Sequence, residues 1–233
     1  MARDGSNNIY LVCQEQQFDW DGPVSYVLRY NADGAKAWTN SLLPGEEPDF
    51  YCVEAIAVGG GLVATTGYAY PYDPNDARPG SSYSTCSKTD GARSWQTAAD
   101  YAAWDRWATD VAISGGNVYV SGIENPPGSP ERVVKYNSVG STLWETTLSP
   151  SGGCAQYLST DASGNAYVAG GSALSKLSAT GIVQWTRTKQ SPRVCEISDM
   201  ALGPKGTLHV TGKVWTGDTS SRLTDYVTVK YAR

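Results

Sequence analysis

The chain has 233 residues and a formal net charge of −5, and 18% of its residues are charged. Lys and Arg form no run, which argues against a nucleic-acid partner because phosphate binding needs clustered cations. No apolar run approaches the roughly 20 residues that cross a bilayer, and the first residues do not form a signal peptide. An extracellular or cell-surface location is expected only if the chain is a mature product or a piece of a longer protein.

The composition favours strands and turns over helices. There are 15 Tyr and 8 Trp but only 2 Phe, together with 25 Gly and 12 Pro. Tyr and Trp suit sheet faces and binding surfaces because each has an apolar body and a polar tip. We therefore predict an all-β chain.

Five cysteines and a single His limit the redox and metal chemistry. The cysteines lie at Cys13, Cys52, Cys86, Cys154 and Cys195, and none forms a Cys-x-x-Cys pair. A zinc cluster is therefore not expected, and we predict no metal and no cofactor. A bridge between Cys154 and Cys195 and buried free thiols both remain open.

Two anchors recur along the chain. A short strand ending in a small residue is seen five times: Asn8–Cys13, Leu62–Gly67, Asn117–Gly122, Asn165–Gly170 and Thr207–Gly212. A Gly-x-x-x-Trp turn follows four of them, ending at Trp38, Trp95, Trp144 and Trp185. With an inner strand before the first anchor and a third strand between the anchors, each unit has four short strands. Such units, recurring roughly every 40 to 57 residues, are typical of propeller blades.

The predicted fold is a single β-propeller domain over residues 1–233, with about five four-stranded blades. The repeats cover approximately 4–43, 52–98, 107–148, 154–188 and 195–233. The first lacks most of its inner strand, and the last stops before a Gly-x-x-x-Trp turn. The terminal repeats could share a blade or belong to a fragment. They could also take a strand from a neighbouring chain, so self-association through the incomplete terminal blades is considered.

The fourth repeat reads Asp161-Ala-Ser-Gly-Asn-Ala-Tyr-Val-Ala-Gly170, then Ser175-Lys-Leu-Ser-Ala-Thr-Gly181, then Trp185. This pattern resembles the bacterial β-propeller repeats of the SBBP type, and the resemblance extends over nearly the whole chain. It implies a propeller from a secreted or surface bacterial protein and implies little about chemistry.

Variation in repeat length falls in one loop, between the second and third strands, so one face of the propeller carries long loops. Aromatic and acidic residues in three of these loops suit a sugar or a protein partner. The predicted ligand-binding residues are Asp19, Trp20, Asp21, Tyr68, Tyr70, Tyr72, Asp73, Trp215 and Asp218. The alternative is that these aromatic side chains fold back over their own blades.

The remaining candidates are weaker. The repeated tryptophans also occur in quinoprotein propellers that bind PQQ, although packing between blades explains them without a cofactor. Asp110 and Asp199 align at the start of inner strands, where two carboxyl groups could serve a glycoside hydrolase, although hydrogen bonding at strand entry is the commoner role. We therefore predict that the chain is not an enzyme but a non-catalytic module that binds a glycan or a protein. A self-assembling surface or filament subunit is the alternative.

Overall fold

The structure is a computed structural model of the chain. It describes residues 1–15, 24–42, 50–70, 81–99, 106–124, 130–148, 155–171, 173–188, 195–203, 206–215 and 224–231. Within these ranges there is no helix long and apolar enough to cross a membrane.

The described residues form five antiparallel sheets, four with four strands and one with three. We number these sheets as blades 1 to 5 in chain order. Blade 1 contains β1 (Ala2–Arg3), β2 (Ile9–Glu15), β3 (Val24–Tyr30) and β4 (Lys36–Ser41), and blade 2 contains β5 (Phe50–Gly59), β6 (Leu62–Tyr70), β7 (Ser81–Lys88) and β8 (Arg93–Ala99). Blade 3 contains β9 (Arg106–Ser114), β10 (Asn117–Glu124), β11 (Glu131–Tyr136) and β12 (Thr142–Leu148). Blade 4 contains β13 (Ala155–Thr160), β14 (Ala166–Gly170), β15 (Ala173–Leu177) and β16 (Val183–Thr188), and blade 5 contains β17 (Cys195–Leu202), β18 (Leu208–Trp215) and β19 (Thr224–Tyr231).

The predicted fold is confirmed, and the chain is an all-β propeller. The first strands of blades 2 to 5 contact one another in sequence and therefore surround the axis. Four apolar clusters fill the spaces between successive blades, from blades 1 and 2 through to blades 4 and 5. As predicted, the first blade has only a two-residue inner strand, and the described part of the fifth has three strands.

The sequence predicted a second strand that ends at a glycine, but β6, β10 and β18 continue two or three residues past Gly67, Gly122 and Gly212. This glycine is explained by a β-bulge in the inner strand beside it. The β5–β6 register shifts between Val53 and Ala55, which leaves Glu54 as the extra residue. The bulge brings the inner backbone so close that a Cβ on Gly67 would lie 1.8 Å from the carbonyl oxygen of Cys52. In blade 1 the inner strand does not reach this position, and the equivalent residue is the exposed Cys13.

The Asp-x-x-Gly-Asn-x-Tyr segment of the fourth repeat forms a tight turn organised by its aspartate. The Asp161 carboxylate accepts hydrogen bonds from the backbone N–H groups of Ser163 and Asn165, from the Asn165 side chain at 2.8 Å and from the Tyr167 hydroxyl. Burial raises the pKa of Asp161, but these hydrogen bonds outweigh it and the net pKa is lowered. The Asp4 carboxylate makes the same set of bonds in blade 1. The Asp, Asn and Tyr residues of this segment are therefore explained by the turn that they form.

Neighbouring blades are joined by what we call the inter-blade clamp. In it, a basic side chain from the third strand and the Trp from the fourth strand donate to one backbone carbonyl of the next blade. In blade 1 the Arg29 guanidinium and the Trp38 indole both donate to the Thr89 oxygen, each at 3.1 Å. In blade 3 the Lys135 ammonium and the Trp144 indole donate to the Ala179 oxygen at 3.1 and 2.9 Å.

Each clamp also covers a turn glycine with a tryptophan ring. Gly181 has φ +84°, and a Cβ there would lie 2.7 Å from Trp144. Gly140 has φ +86°, and its Cβ would lie 2.8 Å from Trp95. In the Gly-x-x-x-Trp pattern, the Trp packs on the turn glycine of the next blade. The Gly of the same pattern lies under the Trp of the preceding blade. The interpretation of these tryptophans as packing residues is supported.

The clamp of blade 2 is altered. Cys86 takes the place of the basic residue and is fully buried, and the buried Trp95 indole N–H has no hydrogen-bond partner. Blades 2 and 3 are instead joined by a larger apolar cluster that includes Cys86, Trp95 and Tyr136. The equivalent turn carbonyl of blade 3, that of Ser138, accepts instead from the Ser94 hydroxyl at 3.2 Å.

Candidate active site at the propeller axis

In blades 2 to 4, one position of the inner strand places a side chain between its own blade and the next. Ala55, Asp110, Tyr157 and Asp199 all occupy this position, directly after the bulge, on β5, β9, β13 and β17. Ala55 packs in the cluster between blades 2 and 3, and Tyr157 packs in the cluster between blades 4 and 5. The alignment of the two aspartates that the sequence suggested is therefore present in the structure.

Asp110 connects two inner strands. One carboxylate oxygen accepts the backbone N–H of Val111 at 2.8 Å, and the other accepts the backbone N–H of Leu158 in the next blade at 2.7 Å. Burial raises the pKa of Asp110 to about 6, the two backbone N–H groups lower it, and the charge of Asp199 raises it further. Near neutral pH this carboxyl group is therefore poised between its acid and its base forms.

Asp199 repeats half of this arrangement. Its carboxylate accepts the backbone N–H of Met200 at 2.7 Å, as Asp110 accepts that of Val111. The Asp199 residue is exposed. Its charge is the smallest of the influences on the pKa of Asp110, after burial and the two backbone N–H groups.

A cavity of about 460 Å³ lies between β2 of blade 1 and β5 of blade 2. Neither Asp110 nor Asp199 lines it. It is lined by Met1, Val12, Gln14, Val53, Glu54, Ala55 and Ile56. The exposed Glu54 and the amide of Gln14 give it a polar wall, while Val12, Val53 and Ile56 give it an apolar one. The cavity is within the size range of sites for small ligands, which is about 300–1,000 Å³.

Glu54 was not selected from the sequence, although a signal was present. The recurring position of the second-strand glycine lies opposite the bulge of the inner strand. In the repeat that contains Gly67, the bulged residue is Glu54. In blades 3 and 5 the bulge positions are Thr109 and Ser198, which are also polar. The position of this glycine in the sequence therefore predicts which inner-strand residue is bulged and lies near the axis.

The predicted ligand-binding residues are only partly described. Tyr68 lies near the end of β6, with its ring centroid 6.1 Å from that of Trp107 in the next blade. Tyr70 and Trp215 end β6 and β18, so their backbones lie at the edge from which the long loops leave. The others lie outside the described residues: Asp19, Trp20, Asp21, Tyr72, Asp73 and Asp218. Their role in binding stays a prediction.

Metal and thiol chemistry has little support in the described part of the chain. Within those ranges no group of three or more His, Cys, Asp or Glu side chains is arranged to hold a metal ion. Cys13, Cys52 and Cys86 are free thiols, and burial raises the pKa of Cys86 to about 11. Cys154 lies outside the described residues, so the bridge to Cys195 stays a hypothesis.

No protein-family model and no curated protein matches the sequence. Solved structures do match the architecture. The europium-containing methanol dehydrogenase is 11% identical with a TM-score of 0.59, over 92% of this chain and 49% of its own. The quinohemoprotein alcohol dehydrogenase of Comamonas testosteroni is 13% identical with a TM-score of 0.56, over 91% of this chain and 40% of its own.

A third solved structure is a candidate 6-phosphogluconolactonase of Bacteroides fragilis. It is 12% identical with a TM-score of 0.57, over 98% of this chain and 69% of its own. The likeness is one of fold. This chain spans about half or less of the two dehydrogenases and about two thirds of the third protein.

These comparisons correct the functional prediction. The non-catalytic glycan- or protein-binding module, with a self-assembling subunit as its alternative, is wrong, because the proteins named above as sharing the fold are enzymes. The sequence argument failed because it gave most weight to the aromatic residues of the loops. The carboxyl groups of the inner strands were treated as strand-entry residues, which accounts for their hydrogen bonds but not for the raised pKa of Asp110.

Proposed function

We propose that this chain is a hydrolase of a small polar ester, of the sugar-lactone class, and that Asp110 and Asp199 are its acid and its base. The observation that carries the proposal is the burial of the Asp110 carboxyl group between β9 and the backbone N–H of Leu158 in the next blade, because this burial raises the pKa of Asp110 to about 6. Carboxyl groups with pKa values shifted towards the working pH are typical of acid–base catalysis.

The proposed reaction assigns one proton transfer to each carboxyl group. A water molecule attacks the carbonyl carbon of the lactone while the exposed Asp199 carboxylate accepts a proton from it. The bond between the carbonyl carbon and the ring oxygen then breaks, and Asp110 gives its proton to that oxygen. The product is a hydroxy acid, and solvent returns the two carboxyl groups to their starting protonation states.

The size and the polarity of the cavity between blades 1 and 2 suit a small hydroxylated ligand. Glu54 and Gln14 can accept and donate hydrogen bonds to hydroxyl groups at its wall, and its volume of about 460 Å³ suits a single sugar-sized ligand. The candidate lactonase among the solved structures has the same fold over 98% of this chain, which agrees with the proposal.

The experiment is a lactonase assay with δ-gluconolactone, in which release of acid is followed by a pH indicator. We expect kcat/KM to fall by about 100-fold or more in Asp110→Asn and in Asp199→Asn, as for loss of a general acid or base. The matched control is Asp33→Asn, because the exposed Asp33 carboxylate also accepts one backbone N–H, from Ala35 at 2.9 Å, in a turn away from the axis. This control should keep the wild-type rate.

The pH dependence gives a second readout. Because the proposed acid must carry its proton, kcat/KM of the wild-type protein should fall as the pH rises through about 6. A purified, folded protein that hydrolyses none of a panel of aldonolactones contradicts the proposal. Activity that survives in both aspartate variants contradicts the assignment of the residues.

A further inference from the structure

The interface between blades 3 and 4 is held by hydrogen bonds from every strand of blade 3. Five side chains of that blade each bond to a main-chain group of blade 4, at distances of 2.7 to 3.1 Å. The pairs are Asp110 with Leu158, Ser114 with Asp161, Tyr119 with Gly164, and both Lys135 and Trp144 with Ala179. Because hydrogen bonds are directional, this series fixes the orientation of blade 4 from the axis to the outer strands.

Blade 2 lacks this series. The residues that match Asp110, Ser114, Tyr119 and Lys135 in register are Ala55, Gly59, Ala64 and Cys86. Three of them have no polar side-chain group, and the Cys86 thiol lies 3.8 Å from the carbonyl oxygen of its own neighbour, Ser87. Only the Trp is retained, as Trp95, and within the described part of the chain its buried indole N–H has no partner. All five bonds are therefore missing between blades 2 and 3.

The interface between blades 2 and 3 is closed chiefly by apolar contact. Its cluster includes Leu62, Val111 and Val118, and the Ser94 hydroxyl bonds to the Ser138 carbonyl at the exposed outer side. Apolar contact is not directional, so it does not hold two blades in one orientation as a series of hydrogen bonds does. The closed interface also withholds water from the Trp95 N–H, and this cost is removed when the interface opens.

The interface between blades 1 and 2 resembles that between blades 3 and 4. It has its clamp on the Thr89 oxygen, the Asn40 amide donates to the Gly91 carbonyl, and the Arg93 guanidinium donates to the Ser41 carbonyl at 2.9 Å. Polar bonds therefore join blade 1 to blade 2 and blade 3 to blade 4. The apolar interface lies between these two pairs.

We propose that the propeller has a built-in opening point between blades 2 and 3. There the pair of blades 1 and 2 moves away from the pair of blades 3 and 4, while each pair keeps its own hydrogen bonds. Partial opening of this kind is expected where a boundary between cooperative units has fewer specific bonds than the units themselves.

Cys86 is a natural reporter of this opening, because it is fully buried in the apolar interface. Its rate of reaction with a disulfide-exchange reagent is read by mass spectrometry of the peptide that contains it, at several urea concentrations below the unfolding transition. We expect a weaker dependence on urea than that of global unfolding, because opening exposes the surface of one interface only. This measurement is made on the wild-type chain and depends on no variant.

Val133→Cys supplies the matched reporter for the other interface, since Val133 is fully buried in the cluster between blades 3 and 4. Both cysteines are then followed in the same molecules. We expect the cysteine at position 133 to react about tenfold or more slowly than Cys86, and with the urea dependence of global unfolding.

Lys135→Met in the Val133→Cys protein tests the cause. It removes a charge-assisted bond across the interface between blades 3 and 4, so the reaction at position 133 should become about tenfold faster while that of Cys86 is unchanged. Lys36→Met is the control, because Lys36 is exposed on β4 of blade 1, and it should change neither rate.

Three results would overturn the proposal. The first is a urea dependence of Cys86 labelling equal to that of global unfolding, and the second is equal reaction rates at the two cysteines. The third is a Lys135→Met protein in which both rates rise together, because the bond would then contribute to global stability and not to one interface.

Discussion

The turn glycines under the tryptophan rings allow a measurement of how tightly the blades pack. Gly34, Gly140 and Gly181 have nearly the same backbone, with φ of +86°, +86° and +84°. Replacement by Ala therefore costs each of them a similar strain, about 1–2 kcal/mol for an L residue in this region. Their surroundings differ, because a Cβ at Gly181 lies 2.7 Å from Trp144, whereas a Cβ at Gly34 has no described atom within 4 Å.

This difference sets the expected order of stability. Gly34→Ala should lower the free energy of unfolding by the strain alone, about 1–2 kcal/mol. Gly140→Ala and Gly181→Ala should each lose about 1–3 kcal/mol more, because the added methyl group must displace a tryptophan ring packed between two blades. Urea unfolding followed by far-UV circular dichroism gives the three values, and an unchanged m-value is the condition for comparing them.

A double-mutant cycle separates packing from strain. In a Trp144→Ala background most of the extra loss of Gly181→Ala should disappear, leaving the strain of the left-handed backbone and the 3.0 Å approach of the Cβ to the Thr146 hydroxyl. If the three alanine variants lose the same free energy, or if Trp144→Ala leaves the extra loss in place, then the rings do not cover the turn glycines in solution. The account of the inter-blade clamp would then be wrong.

Further predictions concern the axial carboxyl groups, the thiols and the bulge. Asp199→Asn should lower the pKa of Asp110 and move the alkaline fall of kcat/KM to lower pH, because the Asp199 charge helps to raise that pKa; an unmoved pH profile would exclude the coupling. The folded-state pKa of Asp110 is about 6 against 3.8 ordinarily, so its protonation favours the folded state below pH 3.8. That contribution, up to about 3 kcal/mol, is lost as the pH rises through about 6, and unfolding of Asp110→Asn should show none of this loss. Disulfide-exchange labelling read by mass spectrometry should modify the exposed Cys13 well before Cys86, whose pKa burial raises to about 11; equal rates would contradict its burial. Gly67→Ala should be more destabilising than any of the turn substitutions, since its Cβ would meet a backbone oxygen at 1.8 Å; a midpoint within error of the wild type would contradict the bulge geometry.

The repeat could be predicted from the sequence because the packing between blades requires the same residue types at the same position of each blade. A Trp needs a glycine on the next blade, and a bulge needs a glycine on the second strand, so both glycines mark the register directly. The placement of length variation between the second and third strands was also correct. Residues 16–23 and 71–80 separate these strands in blades 1 and 2, whereas only Gly171 and Ser172 separate them in blade 4.

The site was harder to predict, since it depends on distances between strands that are far apart in sequence. Asp110 receives its second hydrogen bond from Leu158, 48 residues later, and the raised pKa depends on burial between the two blades. The alignment showed that Asp110 and Asp199 were equivalent but not that their charges interact. Glu54 lines a cavity together with Val12 and Gln14 of blade 1, and this contact joins residues about 40 positions apart that no local pattern connects.

The clamp binds main-chain carbonyl oxygens rather than particular side chains, as at Thr89 and Ala179. One blade therefore recognises the backbone conformation of the next and is indifferent to most of its sequence. Any turn that presents its carbonyl oxygen and its glycine in this conformation can therefore follow blade 1 or blade 3. The interface between blades 2 and 3 is the exception, because Cys86 replaces the basic residue and the next blade cannot be exchanged there on backbone shape alone.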